Sequence, residues 1–187
     1  ATTNTAERRA QVAFSPLIFV AGTRLLVKRG SAIRSERDLP AQRVVAVRAT
    51  TNEAVMRKLS ASPGRAFNLQ VADDFAAALE SLSSGAADAL AADDILIAGF
   101  LAGNDPRGRY AMVGNPLSHE PYGIVFAKGD AALQACVGAA FRRLAESGES
   151  RRIYARWFLQ GLPSGVRLGL PMSPQLERSF AVLGMPP

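Results

Sequence analysis

Between Arg43 and Val113 the spacing of apolar positions switches repeatedly between a period of two and a helical period. Arg43 to Arg48 (RVVAVR) is a β-branched run of strand type, and Thr51 to Ser60 follows with helical spacing. Phe67 to Ala72 predicts a second strand, and Asp74 to Ser84 a helix closed by Gly85 at its C′ position. Ala87 to Ala91 is short and apolar, as a strand covered on both faces should be. Asp94 to Ala102 predicts a further helix stopped by Gly103, and Tyr110 to Val113 a fourth strand. Strands separated by helices of this length imply βαβ units and a parallel sheet. Right-handed crossovers then place helices on both of its faces.

Two extended stretches flank this part: Leu17 to Lys28 leads in, and Tyr122 to Lys128 leads out. Asp130 is a good N-cap for a long amphipathic helix reaching about Glu146. Its apolar stripe of Leu133, Val137, Ala140, Phe141 and Leu144 requires a cover. A second helix is predicted from Ser150 to Leu159, then a turn-rich stretch from Gly161 to Gly169. Ser173–Pro174 starts a terminal helix with Pro at N1, and Gly184 stops it. A compact α/β unit between two extended crossings describes a two-lobed protein with a two-strand hinge.

With 187 residues, 48% hydrophobic and 20% charged, the composition is that of an ordinary globular protein. Its apolar runs are too short, or too interrupted by charge, for a transmembrane helix. The net charge of +6 permits anionic partners. The basic residues, however, lie in scattered pairs (Arg8/Arg9, Arg142/Arg143, Arg151/Arg152) without interleaved aromatics, which argues against nucleic acid as a partner. Cys136 is the only cysteine, so an internal disulfide is excluded; its setting, LQACVGAAF, predicts a buried, inert thiol. The only histidine, His119, reads as a solvated loop residue, and no metal site follows from one His and one Cys. No G-x-S-x-G, P-loop, dinucleotide fingerprint or HExxH is present, so neither catalytic residues nor a cofactor are expected.

Three places carry candidate chemistry. Thr50–Thr51–Asn52–Glu53 follows a strand and opens a helix, which fits a capping box between Thr50 and Glu53. The same geometry, free amides and hydroxyls at a helix N-terminus, also makes an anion site. Asp93–Asp94 lies between a strand and a helix and reads first as an N-cap pair. Arg8 lies on a short predicted helix with Asn4 as cap and Glu7 at N3, and composition does not separate Arg8 from Arg9.

The segments Ala1–Arg24 (ATTNTAERRAQVAFSPLIFVAGTR), Arg48–Glu53 (RATTNE), Ala86–Asp94 (AADALAADD) and Ser147–Phe158 (SGESRRIYARWF) resemble one family. It is that of the bacterial extracellular solute-binding proteins of ABC importers for polar amino acids, closest to the glutamate/aspartate binders. The resemblance covers nearly the whole chain. It implies an α/β fold of the periplasmic-binding-protein type II (Venus-flytrap) class. Residues 1–22 would be a large-lobe remnant with the first hinge strand, and 23–117 a complete small lobe. Residues 118–187 would be the second hinge strand and the C-terminal helices of the large lobe. In that family roughly a third of the mature chain precedes the motif at Ala1, so an N-terminally truncated sequence with a partial large lobe is expected.

The resemblance also implies roles. The Thr50–Thr51 turn matches the family's contact to the ligand α-carboxylate, and Asp93 its acceptor for the ligand ammonium. Thr3 and Arg8 match T-x-x-x-x-R, with Arg8 as the guanidinium that clamps the carboxylate. Ala1 stands where the glutamate/aspartate binders usually carry Ser, so only its backbone could contribute. Ala49 replaces a usual Gly, and Phe75 replaces a His that helps to hold the side-chain carboxylate of an acidic ligand. The implied partners are an amino acid and the membrane permease subunits of an ABC transporter, at a periplasmic or extracellular, membrane-associated location. A second copy, covering the partial large lobe in a homodimer, is a further expected partner. The same fold hosts cyclohexadienyl (arogenate/prephenate) dehydratases and extracellular sensor domains of receptors, which are the alternatives.

Overall fold

The computed structural model describes residues 2–105 and 107–184. The chain divides into two compact units, the first formed by Ala1–Val20 with Glu120–Pro187, the second by Ala21–His119. In chain order the first elements are β1 (Thr2–Thr3), α1 (Ala6–Gln11), β2 (Ala13–Phe14) and β3 (Phe19–Ala21). The second unit holds β4 (Thr23–Lys28), β5 (Arg43–Val47), α2 (Thr51–Ser60), β6 (Asn68–Ala72), α3 (Phe75–Ser84), β7 (Ala89–Asp93), α4 (Asp94–Asn104) and β8 (Tyr110–Val113). The chain then returns to the first unit through β9 (Glu120–Gly123), β10 (Val125–Phe126), α5 (Ala131–Glu146), α6 (Glu149–Tyr154) and α7 (Pro174–Leu183).

In the second unit five strands form one sheet in the order β6-β5-β7-β4-β8. β5 runs parallel to β6 and β7, as the alternating pattern predicts. The sheet also holds a strand that the pattern between Arg43 and Val113 does not include: β4 is inserted antiparallel between β7 and β8. Leu25, Leu26 and Val27 explain this: three consecutive apolar side chains, all buried, demand cover on both faces, which a surface connector cannot give. The reading that treated Leu17 to Lys28 as a plain crossing missed that demand. β7 also runs two residues later than the apolar run suggests, so Asp93 closes the strand instead of following it.

The sheet has a core on each face, with side chains alternating along every strand. Leu25, Val27, Val44, Ala46, Ala89 and Ala91 pack with Met56 of α2 on one side. Leu26, Val45, Leu90 and Ala92 pack with Ala78 and Leu82 of α3 and Ile97 of α4 on the other. Burying one such leucine stabilises the fold by about 2 kcal/mol. Helix ends follow the sequence: Asp74 caps α3 by accepting the Ala77 N–H at 2.8 Å, and Gly85 ends it in the left-handed region at φ 84.

The first unit is built differently. β9 lies between β1 and β3, antiparallel to β1, and β10 pairs antiparallel with β2. Tyr154, Leu176 and Phe180 form a small core, with Phe19 stacked on Phe158 at 5.0 Å between ring centroids. α5 follows its N-cap Asp130 and ends at Glu146, as predicted, yet none of its residues is buried. Leu133 remains exposed, and so does Cys136, which corrects the expectation of a buried thiol. Periodicity says which face of a helix is apolar; it does not say that anything covers it. After Tyr154 the helix widens into a π-type turn over Ala155–Leu159. Ser173 caps α7 with Pro174 in its first turn.

Candidate functional site

Because β5 and β7 are parallel neighbours, the segments that follow them leave the same edge of the sheet. After β5 the chain turns through Ala49, whose φ of 57 is left-handed and unusual for a residue with a Cβ. The turn delivers Thr50 as N-cap of α2. Its Oγ1 accepts the Glu53 N–H at 3.2 Å, and its hydroxyl donates to the Val47 carbonyl at 2.7 Å. The Glu53 carboxylate reaches back as a capping box requires, but to the Ala49 N–H at 2.7 Å, one residue earlier than expected. The Arg57 guanidinium, bonded to the other Glu53 oxygen at 2.7 Å, and the Ala49 amide hold this carboxyl below its ordinary range. Thr51 and Asn52 occupy the first turn, where backbone amides have no helical carbonyl to bond. This edge therefore carries the partial positive charge of a helix N-terminus.

Asp93 closes β7 at the same edge and is 7% exposed. Its register partner in β4 is Thr23, which is fully buried. The expectation of an N-cap pair is corrected: Asp93 holds the cap position of α4 without a side-chain cap bond, and Asp94 lies inside the helix as its first residue. The Asp94 N–H donates to the Gly22 carbonyl at 2.9 Å. Burial pushes the Asp94 carboxyl above its ordinary range, with the neighbouring Asp93 adding to the rise, while the Gly22 and Ile95 amides oppose it. Phe75 opens α3 just beyond β6, the other parallel neighbour of β5, and, like Val47 and Ala72, packs against the core on the α3 face of the sheet.

Sequence reasoning missed three linked polar residues here, of which Thr23 and Asn52 are buried and Ser118 is half-buried. The Thr23 hydroxyl donates to Asn52 Oδ1 at 2.6 Å, and the Ser118 hydroxyl donates to Thr23 Oγ1 at 2.8 Å. A signal was present: Asn52 stands four residues before Met56, and these two are the buried residues of α2. One helical turn apart, they share the face that meets the sheet.

In the first unit the structure distinguishes the two adjacent arginines. Arg8 is half-buried, and its Nη1 donates to Thr2 Oγ1 at 2.8 Å and to the Thr3 carbonyl at 3.0 Å. Arg9 is exposed and bonds Asn4 Oδ1 at 3.1 Å. Thr3 is 6% exposed. The cap of α1 is Thr5, whose side chain accepts the Arg8 N–H, not Asn4 as expected. Ala1 lies outside the described residues. His119 is exposed. Among the described residues no cluster of three or more His, Cys, Asp or Glu side chains is placed to hold a metal, and no helix is long and apolar enough to cross a membrane. The structure thus gathers Thr50, Thr51, Phe75 and Asp93 at one edge of the second unit, and Thr3 with Arg8 within the first.

Residues 1–160 match the bacterial extracellular solute-binding proteins, family 3. The L-glutamate/L-aspartate-binding protein of Pseudomonas aeruginosa is 38% identical over 181 residues, covering 96% of this chain and 60% of that protein. The glutamate/aspartate import solute-binding protein of Salmonella typhimurium is 33% identical, with the same coverage of both chains. The chain therefore spans 60% of the length of these curated relatives. Among solved structures, an ancestral arginine-binding protein bound to arginine matches with a TM-score of 0.74 at 32% identity, over 84% of this chain and 69% of that one. The arginine-, lysine-, histidine-binding protein ArtJ from Geobacillus stearothermophilus matches with a TM-score of 0.75 at 26% identity, over 95% of this chain and 71% of that one. The fold is that of periplasmic amino-acid-binding proteins, and the chain belongs to the bacterial extracellular solute-binding proteins, family 3.

Proposed function

We propose that this chain carries amino-acid-binding groups of the substrate-capturing component of an ABC importer, with a polar, glutamate- or aspartate-like amino acid as ligand. One observation carries the reading. The first turn of α2 and the buried carboxylate of Asp93 stand at the ends of neighbouring parallel strands. A helix N-terminus suits a carboxylate, and a buried carboxylate suits an ammonium; a free amino acid presents both. In this reading Thr50 and Thr51 receive the α-carboxylate and Asp93 the ammonium. In the first unit, the Arg8 guanidinium and the backbone of Thr3, with Ala1 beside them in sequence, are by themselves groups suited to a carboxylate. Phe75 brings an apolar surface to the edge where the glutamate/aspartate binders carry His. The ligand captured in this way is handed to membrane permease subunits at the outer face of the cell membrane.

The exposed apolar face of α5, with Leu133 at 39% exposure, supports association with a second copy as a two-fold dimer, which light scattering on the chain measures directly. The ligand reading is tested by calorimetric titration with L-glutamate, L-aspartate, L-glutamine and L-arginine. Saturable binding of at least one acidic or amide ligand, stronger than that of arginine, is the expected result. Heat from none of the four, on a chain that unfolds cooperatively, would defeat it.

A further inference from the structure

Thr23, Asn52 and Ser118 form one continuous hydrogen-bonded line beside the candidate site. The Thr23 amide donates to Ser118 Oγ at 3.0 Å, the Ser118 hydroxyl donates to Thr23 Oγ1 at 2.8 Å, and the Thr23 hydroxyl donates to Asn52 Oδ1 at 2.6 Å. Each hydroxyl both accepts and donates, so the protons run in one direction along the line and each bond strengthens the next. Thr23 is fully buried and Asn52 nearly so.

The three residues come from separate places. Asn52 is in the first turn of α2, directly after Thr51. Thr23 is the register partner of Asp93. Thr23 also lies just after the point where the chain enters the second unit, and Ser118 just before the point where it leaves. These entry and exit segments touch closely: a Cβ on Gly22 would stand 2.8 Å from Pro116 Cβ and 2.8 Å from the Ser118 carbonyl oxygen. The Gly22 carbonyl accepts the Asp94 amide, the first of α4, and the Thr23 carbonyl accepts the Leu117 amide at 2.8 Å. Two of the three helices that open at this edge are therefore fastened to Gly22–Thr23, α2 through the Asn52 side chain and α4 through its backbone.

Packing does not call for such a line. Valine at position 23 would occupy nearly the same space, and burying hydroxyl and amide groups costs free energy unless every bond is made. What the polar line adds is direction and register. We infer that Thr23, Asn52 and Ser118 are positioning residues that hold the first turn of α2 in place relative to Asp93 and to the entry and exit segments of the second unit. The inference rests on the functional reading given above for its effect on ligand affinity; its effect on local opening does not.

The test compares Thr23→Val, which removes the hydroxyl, with Thr23→Ser, which keeps it. Amide hydrogen exchange is followed at Glu53 and Ala54, whose amides are bonded to Thr50, and, as a reference for global opening, at residues 69–71 in β6; L-glutamate affinity is measured alongside by calorimetry. In Thr23→Val, exchange at Glu53 and Ala54 should rise about tenfold beyond any rise at 69–71, the scale of one lost buried hydrogen bond. The glutamate dissociation constant should rise by a similar factor, and Thr23→Ser should restore both to within about twofold of the native chain. Equal acceleration in the two segments, or valine and serine variants that behave alike, would overturn the inference. If the native chain binds no glutamate, the functional reading fails by itself, and the exchange comparison alone decides the role of the line.

Discussion

The two units use apolar residues in opposite ways. In the second, Leu25, Leu26, Val44, Val45 and Leu90 are at most 1% exposed and are covered by helices from both faces of one sheet. In the first, among the described residues, only Tyr154, Leu176 and Phe180 form a buried cluster, while Ile124, Val125, Leu133, Ile153, Trp157, Leu159 and Val182 are all exposed. The candidate ligand groups divide along the same line. Asp93 and the Thr50–Thr51 turn are set by strand ends in a packed sheet, whereas Arg8 sits on a six-residue helix and is held by its bonds to Thr2 and Thr3. A sheet packed on both faces fixes the positions of its strand ends closely, because any shift must repack a core on each side.

The largest expected effect separates the two kinds of packing directly. Leu90→Ala removes a fully buried side chain from a central strand and should cost about 3 kcal/mol in urea denaturation. Leu133→Ala, on the exposed face of α5, should cost less than about 1 kcal/mol in the same assay. Similar losses for both would erase the contrast. A smaller effect of opposite sign belongs to the turn before α2. Ala49 holds a left-handed conformation that glycine adopts without a Cβ penalty, so Ala49→Gly should stabilise the chain by about 1 kcal/mol. Measured destabilisation would mean that the turn is not under this strain.

The smallest effect is read as a direction with pH. The Asp94 carboxyl is raised in the folded state above its ordinary 3.8 by burial and by Asp93, so its share of stability is present at low pH and is lost as pH rises through the raised value. Asp94→Asn should therefore stabilise the chain at neutral pH, and the gain should vanish in acid. Glu53 behaves oppositely, because Arg57 and the Ala49 amide lower its carboxyl; its contribution is present at neutral pH and is lost as pH falls below its ordinary 4.5. Denaturation curves across pH 3–7 for the native chain and the Asp94→Asn variant separate the two signs.

Much of this was legible in the sequence, for local reasons. Thr51–Ser60, Ala131–Glu146 and Tyr110–Val113 have the predicted ends, because caps and periodicity are properties of neighbouring residues. The insertion of β4 between β7 and β8 was not legible, since strand order depends on partners far apart in the chain. Nor was the exposure of Cys136 and Leu133 on α5, which depends on what packs against the helix. At the site, Thr50 and Glu53 could be read from their spacing, while the line from Thr23 to Asn52 and Ser118 joins residues up to 95 positions apart. A hydrogen bond between such distant residues leaves no periodic trace.

The proposed function depends first on Asp93 as the acceptor for an amino-acid ammonium. Calorimetric titration of the native chain and of Asp93→Ala with the ligand that the amino-acid panel identifies tests it. Removing the carboxylate leaves a ligand cation without its charged partner, so the dissociation constant should rise by more than about thirtyfold, the equivalent of about 2 kcal/mol, with cooperative unfolding retained. An unchanged dissociation constant in a folded Asp93→Ala chain would contradict the account.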